Sequence, residues 1–271
     1  MNFEQTGSNE SLFWITACLS ICGGQLGVFV LDTGSGSLVT KLKQTKLDGG
    51  QASVRYGSGT VNGYKGRCLI SLGGNISYKS DIIHSVPKIP HTDDVGGRVD
   101  GILGLLPTPG KDNAITSVQF DFLQGKLHLN HTPIYAPTIR QNVAHHDYPN
   151  KLWLFGDIKL YSDTRVCLLA AKNKYFMLDT GSTVAVTFFG KKMATLLECD
   201  TKRKLHVVEL TVQNTTLTQC VSVDTRWPAC LPHDMNQIEY FMLGIQFLNT
   251  LHGLHYEITR NNTVGNVSLS A

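Results

Sequence analysis

The chain is predicted to be an all-β protein of two related halves with few short helices. Three observations carry that expectation. The segment Phe29-Val30-Leu31-Asp32-Thr33-Gly34-Ser35 returns as Phe176-Met177-Leu178-Asp179-Thr180-Gly181-Ser182, identical at six of seven positions. Glycine is abundant, at 26 of 271 residues, which favours a turn-rich β chain over a bundle of helices. Apolar residues make up 42% and charged residues 17%, a balance that supports a sizeable core and argues against disorder.

The elements follow in order. Residues 11–31 carry no charge. Such a run also suits a membrane span or a signal core. Against both, Gly23, Gly24 and Gly27 interrupt it, the preceding residues hold Glu4 and Glu10 but no Lys or Arg, and the run leads into Asp32. It is read as two buried strands joined by the turn Cys22-Gly23-Gly24-Gln25, with any targeting or pro-segment outside it. Residues 53–64 contain Tyr56-Gly57-Ser58-Gly59, a hairpin signature. Ile102-Leu103-Gly104 lies 70 residues after Asp32, and Met242-Leu243-Gly244 lies 63 after Asp179, so the repeat extends beyond the motif. Residues 113–124 place apolar side chains at 115, 118, 122 and 123 and are expected to form one short amphipathic helix. Residues 152–155, 207–212 and 255–259 read as short strands. Two units of this size suggest pseudo-twofold symmetry, and a solenoid needs more copies.

Charge and motif content exclude several functions. The net charge of +3 is too weak for nucleic-acid binding. The longest basic run, Lys202-Arg203-Lys204, reads as a solvated loop. Among the ten histidines, His145-His146 and His252/His255 are the tightest groups, and neither has a carboxylate at metal spacing. They are read as surface or packing residues, and no metal or cofactor is expected. No GxSxG, P-loop or GxGxxG sequence occurs.

The repeated motif carries the chemistry. An Asp at the end of an apolar strand, followed by Thr-Gly, presents its carboxylate from a tight loop, and Gly34 and Gly181 allow close backbone approach. Two such loops meeting across a twofold axis set Asp32 beside Asp179. Like charges that close resist joint ionisation, so the pair holds one proton over a wide pH range. One carboxylate then acts as a general base on water, and the other is the acid on a substrate carbonyl. The bland alternative is two Asx turns capping strands.

On these residues the chain resembles the pepsin-like aspartic proteases. The likeness runs from about Trp14 to Ala271 and includes residues 29–35, Tyr56-Gly57-Ser58-Gly59, Asp100-Gly101-Ile102-Leu103-Gly104-Leu105, residues 176–182 and the tail from Phe241. The resemblance implies a bilobal fold, with lobes at 1–148 and 149–271, and Asp32 and Asp179 as the catalytic pair. It implies that Gly34 and Gly181 donate backbone N–H bonds to the inner carboxylate oxygens, that Ser35 and Ser182 bond the outer ones, and that Thr33 and Thr180 interlock beneath. Tyr56, Gly57 and Ser58 would form a flap over a polypeptide bound extended between the lobes. Cys199 and Cys230 match the family's C-terminal-lobe disulfide. The implied protein is a monomeric endopeptidase, since both carboxylates lie in one chain.

Departures from the family are localised. Only 24 residues separate Asp32 from Tyr56, and 23 separate Gly156 from Asp179. Val39 stands where the family has a Trp supporting the flap Tyr, and Gly244-Ile245 replaces the more usual Gly-Asp. These departures support an alternative reading, a catalytically impaired paralogue that binds peptides or proteins. Seven cysteines leave at least one outside an intrachain pair. Cys18 and Cys22, about 13 Å apart on an extended strand, cannot pair with each other there. Six N-x-S/T sequons, at Asn9, Asn75, Asn130, Asn214, Asn261 and Asn266, suggest a glycoprotein of the secretory pathway, secreted or lysosomal/endosomal. The near-neutral charge balance favours a mildly acidic compartment over a strongly acidic one.

Overall fold

The structure is a computed structural model, and it describes residues 1–6, 14–42, 47–56, 59–72, 77–85, 99–107, 115–143, 150–190, 205–221, 236 and 238–271. Gly57, Ser58, His145, His146, Cys199, Cys230 and the basic run at 202–204 lie outside the described residues.

The first half forms one eight-stranded sheet from β1 (Glu4–Thr6), β2 (Trp14–Ile21), β3 (Gln25–Asp32), β4 (Leu38–Thr40), β5 (Leu47–Tyr56), β6 (Gly59–Ser71), β7 (Ser77–Ser85) and β8 (Gly101–Gly104). Its order is β1-β2-β3-β8-β4-β7-β6-β5. Strand β2 also pairs with β6 through Ser20 and Ile21, so the sheet curls back on itself. The uncharged run is indeed two strands, because Ile15, Ala17, Leu19 and Ile21 of β2 and Phe29 and Leu31 of β3 all enter the core. The turn between them runs through positive φ at Cys22, Gly23 and Gly24, a region that glycine enters readily. A disulfide joins Cys22 to Cys68, 46 residues on, at the start of that turn. Strands β5 and β6 pair antiparallel where a hairpin was expected, with Tyr56 opposite Gly59.

The chain next makes β9 (Ser117–Asp121), β10 (Lys126–Leu129) and β11 (Ile139–Asn142). The helix expected at 113–124 is not there: residues 117–121 are strand β9 and 122–125 a turn. The reason is that β9 is buried on both faces. Val118 and Phe120 enter the core, and Ser117, Gln119 and Asp121 are also buried. They lie under residues 131–135, where Ser117 Oγ donates to His131 O, Ile134 N–H to Gln119 Oε1 and Tyr135 OH to Asp121 Oδ1. Polar side chains on a covered face hide the alternation of a strand, while the apolar turn residues complete a false helical spacing.

The second half forms a six-stranded sheet from β12 (Trp153–Ser162), β13 (Cys167–Asp179), β14 (Val186–Gly190), β15 (Leu205–Val212), β16 (Thr215–Cys220) and β17 (Ile238–Gly244). Its order is β14-β17-β13-β12-β15-β16. A single turn, α1 (Ile245–Leu248), leads to β18 (Gly253–Ile258) and β19 (Val264–Ser270). No helix among the described residues is long and apolar enough to cross a membrane.

The sequence repeat is a repeat of topology. In the first half the consecutive neighbours are β2-β3-β8-β4, and in the second they are β12-β13-β17-β14. Each Asp-bearing strand runs parallel to its Leu-Gly strand, with Asp32 opposite Gly104 and Asp179 opposite Gly244. The third sheet, β10-β9-β18-β19-β11, takes strands from both sides of residue 148. Its antiparallel β9/β18 pair joins the two halves. One contiguous core holds Phe29, Phe120, Phe176, Phe241 and Tyr256, each worth about 1.5–3 kcal/mol when fully buried. Tyr256 OH donates to Leu105 O just beyond β8, at 2.8 Å.

Candidate active site

Both Asp residues stand where a buried strand stops. Val30 and Leu31 carry β3 into the core, and Leu178 carries β13. Each loop is then held on the parallel strand beside it. Leu105 N–H donates to Asp32 O, Gly104 N–H to Ser37 O, Gly244 N–H to Ala185 O and Ile245 N–H to Ser182 O. The glycines of the two Leu-Gly segments are needed because the loops pass so near. A Cβ on Gly104 would lie 2.5 Å from Ser37 N, and one on Gly244 2.7 Å from Ser182 O. Ile245, where the resemblance led to an expectation of Asp, fills the core instead.

The next residue of each loop ties the halves together. Thr33 and Thr180 are fully buried. Thr33 N–H donates to Thr180 Oγ1 and Thr180 N–H to Thr33 Oγ1, both at 3.0 Å. Thr33 Oγ1 donates to Leu178 O at 3.0 Å, and Thr180 Oγ1 to Leu31 O at 2.6 Å. Each hydroxyl therefore accepts one bond and donates one between the two matched loops, and all four polar groups are satisfied without water.

This linkage sets the two carboxyl groups side by side. Each loop glycine faces the opposite Asp. A Cβ on Gly34 would lie 2.6 Å from Asp179 Oδ1, and one on Gly181 2.7 Å from Asp32 Cγ. Asp32 is 4% exposed. It accepts Gly34 N–H on Oδ1 at 2.6 Å and Ser35 Oγ–H on Oδ2 at 2.5 Å. Asp179 accepts Gly181 N–H on Oδ1 at 2.9 Å. Among the described residues Ser182 offers Asp179 no hydroxyl bond, only its backbone N–H to Asp179 O. Burial, then the charge of Asp32 and the bond to it, hold the Asp179 carboxyl well above the usual carboxylate range. The shared proton therefore belongs on Asp179.

Tyr56 closes one side. It packs on a small apolar cluster of Val30, Val39, Val61, Val99 and Ile102, together with Trp14, Ala52 and Val54. Val39 is thus part of the bed on which Tyr56 rests. The Tyr56 phenol lies beside Ser35 and Asp32, and burial, followed by the Asp32 charge, pushes its pKa up. Among the described residues, neither its oxygen nor the buried Trp14 Nε1 has a hydrogen bond of normal geometry.

Of the residues named from sequence, Asp32, Thr33, Gly34, Ser35, Tyr56, Asp179, Thr180, Gly181 and Ser182 converge here. Two features escaped the sequence. Trp14 has no local motif that links it to Tyr56. Lys151, whose Nζ donates to Gly34 O, stands in an ordinary Asn-Lys-Leu sequence with no signal at all. No group of three His, Cys, Asp or Glu side chains suited to a metal occurs among the described residues. No protein-family model matches the chain, and no curated protein matches it.

Proposed function

We propose that the chain is an aspartic-type endopeptidase with the bilobal, pepsin-like architecture its sequence resembles. The observation that carries this reading is the pairing of Asp32 and Asp179, from two matched loops, with one carboxyl held protonated. Asp32 takes a proton from a water, whose oxygen attacks the carbonyl carbon of an extended polypeptide. Asp179 gives its proton to the carbonyl oxygen. Collapse of the resulting diol breaks the C–N bond: Asp32 gives its proton to the departing nitrogen, and a diol hydroxyl returns a proton to Asp179. The Thr33/Thr180 linkage supports the reading because it fixes the carboxyls before substrate arrives, and fixed geometry contributes to the rate. The Cys22–Cys68 disulfide supports an oxidising compartment, either secreted or endosomal/lysosomal. The exposed turn positions of Asn214 and Asn261 support a glycoprotein.

One observation favours the second reading, a peptide-binding paralogue that does not cut. Tyr56 rests on Val39, where the resembled family has a Trp that supports it. Pepstatin separates the two readings. The endopeptidase reading predicts that one equivalent of pepstatin stops cleavage of a quenched peptide substrate, and that Asp32→Asn and Asp179→Asn are each inactive. Pepstatin binding to a folded protein that cleaves nothing would replace it with the binding reading.

A further inference from the structure

A cation stands at the junction of the two Asp loops. Lys151 precedes β12 and belongs to the second half, yet its Nζ donates to the carbonyl of Gly34 in the first. Gly34 in turn presses on the Asp179 carboxyl, since a Cβ there would lie 2.6 Å from Asp179 Oδ1. The Lys151 ammonium, the Gly34 peptide and the Asp179 carboxyl therefore lie in one contiguous layer, and Lys151 is part-buried. Its charge acts on Asp179 in the direction opposite to burial and to Asp32.

We infer that Lys151 is a positioning residue for the Asp32/Asp179 pair: it ties the Gly34 loop to the root of β12 and supplies a fixed positive charge that favours the singly ionised pair. The kinetic part of this inference rests on the endopeptidase reading. Among the described residues, the charged and titratable groups around the pair are the two carboxyls, the Tyr56 phenol and Lys151. An opposite charge close by and partly shielded from water favours the ionised carboxyl. Without it, the pair keeps its proton to higher pH.

Two measurements test this. Lys151→Met keeps the length of the stem and removes the charge. The pH profile of kcat/KM should move toward neutral by about half a pH unit or more, and Lys151→Arg should restore it. A lysine that served only to brace the loop would lower rates and leave the profile in place. A wild-type enzyme that cleaves, with a Lys151→Met profile that coincides with it, overturns the inference. Lys151→Gln takes the place of a methionine variant that does not fold. The second readout needs no catalysis. Lys151→Met should shift the pH dependence of thermal melting, and the shift should vanish in the Asp179→Asn background. If the wild type fails to cleave but that pattern is seen, the inference stands and the endopeptidase reading falls. If the melting curves do not shift, the inference falls whether or not the protein cleaves.

Discussion

Thr33 shows how much one side chain can hold. Its hydroxyl accepts Thr180 N–H and donates to Leu178 O, and both partners are buried. Thr33→Val keeps the shape and leaves those two groups unsatisfied. A buried polar group without its partner costs about 1–3 kcal/mol, so the variant should lose at least that much in urea denaturation. Activity should fall by more than stability alone explains, because the carboxyl pair loses its anchor. A variant as stable as the wild type would show that the linkage is incidental. At this scale the sequence was readable wherever the repeat reached. Asp32, Thr33 and Gly34 and their counterparts were visible because the motif occurs twice. Lys151 and Trp14 were not, because their contacts come from distant strands and leave no spacing to read.

At the scale of elements, the strands that bury one apolar face were legible, and β9 was not. Ser117, Gln119 and Asp121 are polar by composition and buried by position, so no periodicity rule could place them. The same covered face contains His255, which is 4% exposed and whose Nε2 has no partner among the described residues. Burial pushes the pKa of His255 below its ordinary value of 6.5. A depressed histidine contributes stability that is complete above 6.5 and is lost as pH falls through the lower folded value. Protonation would place a charge in this desolvated site under the strap at 131–135. The melting temperature should therefore fall as pH drops from 6.5, and His255→Asn should flatten that fall. An unchanged slope would place the acid sensitivity elsewhere. The disulfide illustrates the same limit of legibility. Sequence excluded a Cys18–Cys22 bond, but only the closure of β2 on β6 brings Cys22 to Cys68.

For the molecule as a whole, the all-β class and the twofold repeat follow from the sequence, and the repeat reappears in strand order. The sharing of one sheet between the halves was not legible, since the pairing of β9 with β18 joins residues more than a hundred positions apart. That sheet and the threonine linkage join the two halves of one chain, and on the proposed reading Asp32 and Asp179 act there as one acid–base unit. Cleavage of denatured globin by the folded protein, followed across roughly pH 3 to 7 where a carboxylate pair should work, tests that claim most directly. Acid-dependent cleavage with a bell-shaped profile is expected, abolished by Asp32→Asn and by Asp179→Asn alike. Cleavage that survives either substitution, or none by a demonstrably folded wild-type chain, would contradict it.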